Sequence, residues 1–287
     1  KQRRFPNNTS KRQPGVPRGI RRILQTSFSS PAGIAISNGS AYVANNGGNT
    51  VTSCTVSGST LTSCIQAASG FYYPVGIAIS NGYAYVANGG GTTVTSCTIS
   101  GSTLTSCTQA ASGFNGPSGI AISNGSAYVT NFGGNTVTSC TVSGSTLTSC
   151  TQAASGFNGP SMIAISTGSA YVTNYFNNTV TSCTVSGSTL TSCTQAASGF
   201  NKPAGIAISN GVAYVVNSGG TTVTSCTVSG SGALTSCTQA GCADGYYLNA
   251  ASNTCTACTA ACSATEYETT ACSGTQNRVC ASCTQQS

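Results

Sequence analysis

Apolar and polar positions along this chain fall into short runs that recur at a fixed interval. From Pro31 the first unit reads as an apolar run Gly33–Ser37 (GIAIS), an Asn38-Gly39 turn and a second run Ala41–Asn45 (AYVAN). A Gly-rich loop follows, then the alternating β-branched run Thr50–Val56 (TVTSCTV), a Ser57-Gly58 turn and Leu61–Gln66 (LTSCIQ). Asn-Gly between apolar runs is a strong hairpin signal, and nothing in the unit has helical period. Each unit therefore predicts four antiparallel strands, after which Ala67–Tyr73 crosses to the next proline.

The unit is 43 residues long and occurs five times, opening at Pro31, Pro74, Pro117, Pro160 and Pro203. Repeats of about 40–50 residues with four strands each predict a β-propeller. The expected fold is all-β: a five-bladed propeller of four-stranded blades over residues 31–240. A basic leader (1–30) precedes it and a small disulfide-rich module (241–287) follows. GIAIS, small and aliphatic on both faces, suits the crowded innermost strand. The Thr/Ser-rich third and fourth runs suit the rim.

Seventeen cysteines point to an oxidising compartment. Ten of them fall in pairs in the third and fourth strands: Cys54–Cys64, Cys97–Cys107, Cys140–Cys150, Cys183–Cys193 and Cys226–Cys237. A three-residue turn would set Cys54 directly opposite Cys64, so one hairpin disulfide per blade is expected, each contributing roughly 2–3 kcal/mol. Sequons at Asn7, Asn8, Asn38, Asn124 and Asn177 are candidate glycosylation sites and fit a secreted or cell-surface protein. No apolar run approaches the roughly 18 residues of a membrane span.

Charge is concentrated at the ends of the chain. Only 5% of residues are charged, and the five repeats hold one charged residue, Lys202, with no His anywhere in the chain. The basic leader suits an anionic surface, a solvated extension or an assembly arm. Assembly is preferred over nucleic acid in an oxidising setting, and Arg18–Arg22 has the look of a processing site. Without Asp, Glu or His, the array lacks the residues for acid–base, carboxylate-metal and Ser-His-Asp chemistry. The reading is therefore of a protein that is not an enzyme and uses no cofactor or metal.

The copies differ mainly in two loops, the one after the second strand and the crossing loop. In a four-stranded blade both open on one end. Tyr72, Tyr73, Phe132, Tyr175, Phe176 and Lys202 therefore share an end and form a candidate surface for sugars or an extended peptide. The opposite end departs at Tyr83, Thr167 and Val212.

AYVTNFGGNTV, AYVTNYFNNTV and AYVANNGGNTV resemble YVTN-type and NHL-type propeller repeats across residues 31–240. That resemblance implies the propeller fold; some such proteins are lactonases and others are surface-layer or recognition proteins. In the tail, GYYLNAASNTCTAC and YETTACSGTQNRVCASC resemble the cysteine-rich modules of tumour-necrosis-factor-receptor and ephrin-receptor ectodomains. The seven tail cysteines leave Cys283 as the candidate inter-chain or unpaired residue. The expected role is a secreted structural or adhesive subunit, associating with copies of itself or with other extracellular proteins through leader, propeller and tail. The alternative is a lectin-like propeller using the aromatic end.

Overall fold

The computed structural model describes residues 28–220 and 222–239, and beyond them 246–249, 254–258, 266–270, 277 and 279–282. Twenty strands form five four-stranded antiparallel sheets, each ordered as a simple meander. Blade one contains β1 Pro31–Ser37, β2 Ser40–Asn45, β3 Thr50–Ser57 and β4 Thr60–Ser69. Blade two contains β5–β8 (Pro74–Ser80, Tyr83–Asn88, Thr93–Ser100, Thr103–Ser112), and blade three β9–β12 (Pro117–Ser123, Ser126–Asn131, Thr136–Ser143, Thr146–Ser155). Blade four contains β13–β16 (Pro160–Ser166, Ser169–Asn174, Thr179–Ser186, Thr189–Ser198). Blade five contains β17–β20 (Pro203–Ser209, Val212–Asn217, Thr222–Val228, Leu234–Gln239). The described residues thus form a five-bladed β-propeller, with the GIAIS-type strands β1, β5, β9, β13 and β17 innermost and in contact in that order.

Turn chemistry sets each meander. Asn38 and Gly39 both have positive φ, the two-residue type I′ geometry that carries the twist of the flanking strands. Blade four has Thr167-Gly168 at this place, so a β-branched residue is held at φ 46°. A β-branched side chain crowds the backbone there. Thr167→Asn is expected to stabilise the protein by about 1 kcal/mol, read as a higher melting temperature by circular dichroism. The protein should be made without glycans, because the change adds an Asn-Gly-Ser sequon.

The third turn differs from the sequence reading. Ser57 pairs with Thr60, so the turn has two central residues, Gly58-Ser59, and not three. The missing residue reappears as a bulge: the register shifts between Ser53 and Thr55, and Ser63 takes φ 49°. Beyond the bulge Ser53 pairs with Ile65, which brings Cys54 opposite Cys64. The fourth strand also runs further than LTSCIQ, through a second register shift to Ser69. Cys54–Cys64, Cys97–Cys107, Cys140–Cys150, Cys183–Cys193 and Cys226–Cys237 are all bonded.

The core lies between blades. Four apolar clusters join blades one to two, two to three, three to four and four to five. In the first, Tyr42, Ala44 and Val51 of blade one meet Ile77, Ala84, Val86 and Leu104 of blade two. Tyr42, Tyr85 and Tyr128 are buried and donate their hydroxyls to the carbonyls of Gly101, Gly144 and Gly187 on the next blade. Burial pushes the Tyr85 and Tyr128 phenols above their ordinary range, so the hydroxyls stay protonated and keep donating. Ser53, Ser96 and Ser139 repeat the pattern, donating to Ser102, Ser145 and Ser188. Near the axis the inner strands approach so closely that a methyl group on Gly33 would lie 2.2 Å from the Val75 carbonyl oxygen.

Candidate functional site

An asparagine at the end of each second strand builds the loop end. Asn131 is buried; its Nδ2 donates to Thr136 Oγ1 at 3.0 Å and Thr138 Oγ1 at 2.8 Å, and its Oδ1 accepts from the Asn115 amide at 3.2 Å. One side chain thus ties the second strand, the third strand and the crossing loop together. Asn45, Asn88, Asn174 and Asn217 make the same connections. A second asparagine, Asn135, accepts from the Gly159 amide at 2.8 Å; Asn49 and Asn178 do so from Tyr73 and Lys202. The sequence reading missed these clamps, although the signal was present in the AYVxN…N spacing.

With both loops clamped, the variable residues meet on one end. The amides of Phe132 and Gly133 bond the carbonyls of Gly116 and Asn115, and those of Tyr175 and Phe176 bond Gly159 and Asn158. Phe132, Tyr175 and Phe176 then form a mutual cluster, with ring centroids 5.8 Å (Phe132–Tyr175), 5.4 Å (Phe132–Phe176) and 5.3 Å (Tyr175–Phe176) apart. Gly159 permits this: a methyl group there would lie 2.5 Å from the Phe176 ring. Lys202 Nζ stands 5.8 Å from the centre of the Tyr175 ring, on the cation-attracting face. Phe176 itself is 60% exposed.

Tyr72 and Tyr73 form a separate pair, with centroids 5.2 Å apart, at the first crossing loop. Between that pair and Phe132 lies a cavity of about 380 Å³, walled by Tyr73, Val75, Pro117 and Phe132 and edged by the backbone of Gly89 and Gly133. Its lining carries no charged side chain. All six sequence-predicted loop residues therefore lie on one end, in two groups flanking this cavity.

Asn38, Asn124 and Asn177 are exposed, and Asn177 Oδ1 accepts from Asn158 Nδ2 at 2.6 Å. Asn7, Asn8, most of the leader and Cys283 lie outside the described residues. In the tail, Cys258 and Cys280 are disulfide-bonded. Among the described residues no helix is long and apolar enough to cross a membrane.

No protein-family model matches the chain, and no curated protein sequence does. Solved structures do. The propeller superposes on a chain of the nidogen/laminin complex with a TM-score of 0.60, at 13% identity over 69% of this chain and 76% of that one. This is a shared β-propeller fold. Streptogramin B lyase matches with a TM-score of 0.56, at 17% identity over 74% and 70% of the two chains. The periplasmic gluconolactonase PpgL of Pseudomonas aeruginosa matches at 0.57, with 17% identity over 72% and 71%.

These neighbours correct one expectation. The absence of Asp, Glu and His from the repeats points away from an enzyme, yet the same fold carries a lyase and a gluconolactonase. The composition rules out particular side-chain chemistries in the array; it does not rule out enzymes built on this scaffold. For the tail, the disulfides of Cys258 and Cys280 fit a cross-linked segment, and no family model matches it.

Proposed function

We propose that the protein is a secreted adhesive module whose aromatic loop end binds carbohydrate. The observation that carries this reading is the Phe132–Tyr175–Phe176 cluster, with Phe176 mostly exposed beside an uncharged cavity rimmed by Tyr73. An aromatic face stacks on the apolar face of a sugar ring, while nearby backbone groups and asparagine amides can bond its hydroxyls. The cavity lining is uncharged, which favours a neutral sugar there, while the Lys202 ammonium over the Tyr175 ring stands beside the aromatic cluster. Five hairpin disulfides fit an oxidising compartment, as an extracellular role requires.

The reading is tested by titrating neutral oligosaccharides into the full chain and into Phe176→Ala. Binding that weakens roughly tenfold or more in the variant supports it. Because Phe176 is exposed, its removal is expected to leave the melting temperature nearly unchanged. Absence of glycan binding, or equal binding by the variant, would sink it. Binding of an extended peptide in place of glycan would reassign the same surface to a protein partner.

A further inference from the structure

A second cavity, of about 320 Å³, lies among the innermost strands and shares no residue with the one beside Tyr73 and Phe132. Every blade contributes to it the isoleucine of its innermost strand: Ile34, Ile77, Ile120, Ile163 and Ile206. Its remaining wall comes mostly from blade five, through Tyr214 and Val216, and from Met162. No charged side chain lines it, and Tyr214 supplies the one side-chain hydroxyl among the described lining residues.

The apolar side chains at this cavity are open where their counterparts are covered. Tyr214 is 41% exposed and Val216 46%, whereas Tyr171 and Thr173 at the same places in blade four are buried. Ile34 is 56% exposed, against 6% for the equivalent Ile77. Large apolar groups gathered around one hollow mark a binding surface, in a way that scattered exposed ones do not. The space is real at the backbone as well. A methyl group on Gly33, Gly76 or Gly119 would strike the next blade's backbone, but one on Gly205 would meet only the Val216 side chain, at 3.4 Å. Two departures from the repeat fall here, and both add apolar bulk. Met162 stands where the other four copies have Gly, and Val216 where they have Ala or Thr.

We propose that this cavity is a further binding site, for a small, uncharged, mainly apolar molecule carrying one hydrogen-bonding group. Its volume lies in the range of about 300–1,000 Å³ typical of small-molecule sites, and is too small for a strand or blade of another chain. Isoleucine, valine and methionine walls offer water few partners, so an apolar ligand displaces weakly held solvent. An ionised ligand would lose hydration and find no counter-charge. The polar handle is the Tyr214 hydroxyl. Tyr42, Tyr85 and Tyr128 donate theirs to the next blade, whereas Tyr214 lines the cavity. The flexible thioether of Met162 lets the wall adapt to ligand shape.

Titrating the neutral dye N-phenyl-1-naphthylamine into the full chain tests this. A saturable rise in fluorescence is expected, with one site per chain. Gly205→Met should weaken it roughly tenfold or more, because the new side chain occupies the cavity. The fold already carries methionine at this repeat position in blade four, and the melting temperature of the variant checks that it is folded. Independently of any variant, saturating dye should protect Tyr214 from hydroxyl-radical labelling and leave Tyr72 unchanged. Absence of saturable binding overturns the proposal. So does Tyr214 labelling that ignores the dye, whatever Gly205→Met does. Binding lost in Phe176→Ala but kept in Gly205→Met puts the dye at the loop end and also overturns it.

Discussion

Gly76→Ala is expected to destabilise the protein by more than about 3 kcal/mol, among the larger costs of a single methyl group. The new Cβ would lie 2.3 Å from the Ser118 carbonyl oxygen and 3.0 Å from Gly119 Cα. Both are backbone atoms of the adjacent inner strand, so no side-chain rotation relieves the clash. The strand must move, and with it the seam in which Tyr85, Val94 and Ile120 are buried. Gly230→Ala is the control: it has open space around it, and a change below about 1 kcal/mol is expected there. Chemical denaturation of the two variants separates the outcomes. A cost at Gly76 no larger than at Gly230 would mean the blades are not packed this closely at the axis.

The second large effect is reductive. Each hairpin disulfide closes a span of ten or eleven residues and contributes about 2–3 kcal/mol on the chain-entropy account. Most of each fourth strand is exposed; in β12 only Leu147 and Ala153 are buried. The cross-links thus hold strands that apolar burial holds weakly. Five together rival the whole stability of an ordinary domain, about 5–15 kcal/mol. Reductant is expected to unfold the array at temperatures where the oxidised protein is intact. Because Cys258 and Cys280 are also bonded, a paired Cys140→Ser and Cys150→Ser change isolates one blade. It should lower stability by about 2–3 kcal/mol in a denaturant melt. An unchanged midpoint would show that strand pairing alone keeps β12 in place.

Much of the architecture is legible in the repeat because each strand announces itself locally. Asn38-Gly39 fixes a turn, AYVAN a buried strand, and the cysteine spacing a hairpin. The third turn was harder to read. Ser63 has no side-chain signature for a positive φ, and the bulge there arises only when two strands settle their register. The loop end was legible as a set of departures from a uniform repeat, which is how Phe132, Tyr175 and Phe176 could be grouped. The clamps that position them were overlooked for the opposite reason: Asn131 and its counterparts never vary, so they read as part of the strand. Least legible was the exposure of the inner strand of blade one, where Ile34 is exposed and its equivalent Ile77 is buried. Ile34 and Ile77 sit in the same motif, and nothing within GIAIS tells whether another blade lies against it. Burial there depends on a neighbour, not on the run itself.

The placement of the cross-links has a mechanical consequence. Every hairpin disulfide lies within one blade and none of the five crosses a seam, so a pull along the chain meets covalent locks inside blades and hydrogen bonds with apolar contacts between them. Under such a pull the blades are expected to part at their seams while each stapled hairpin stays closed.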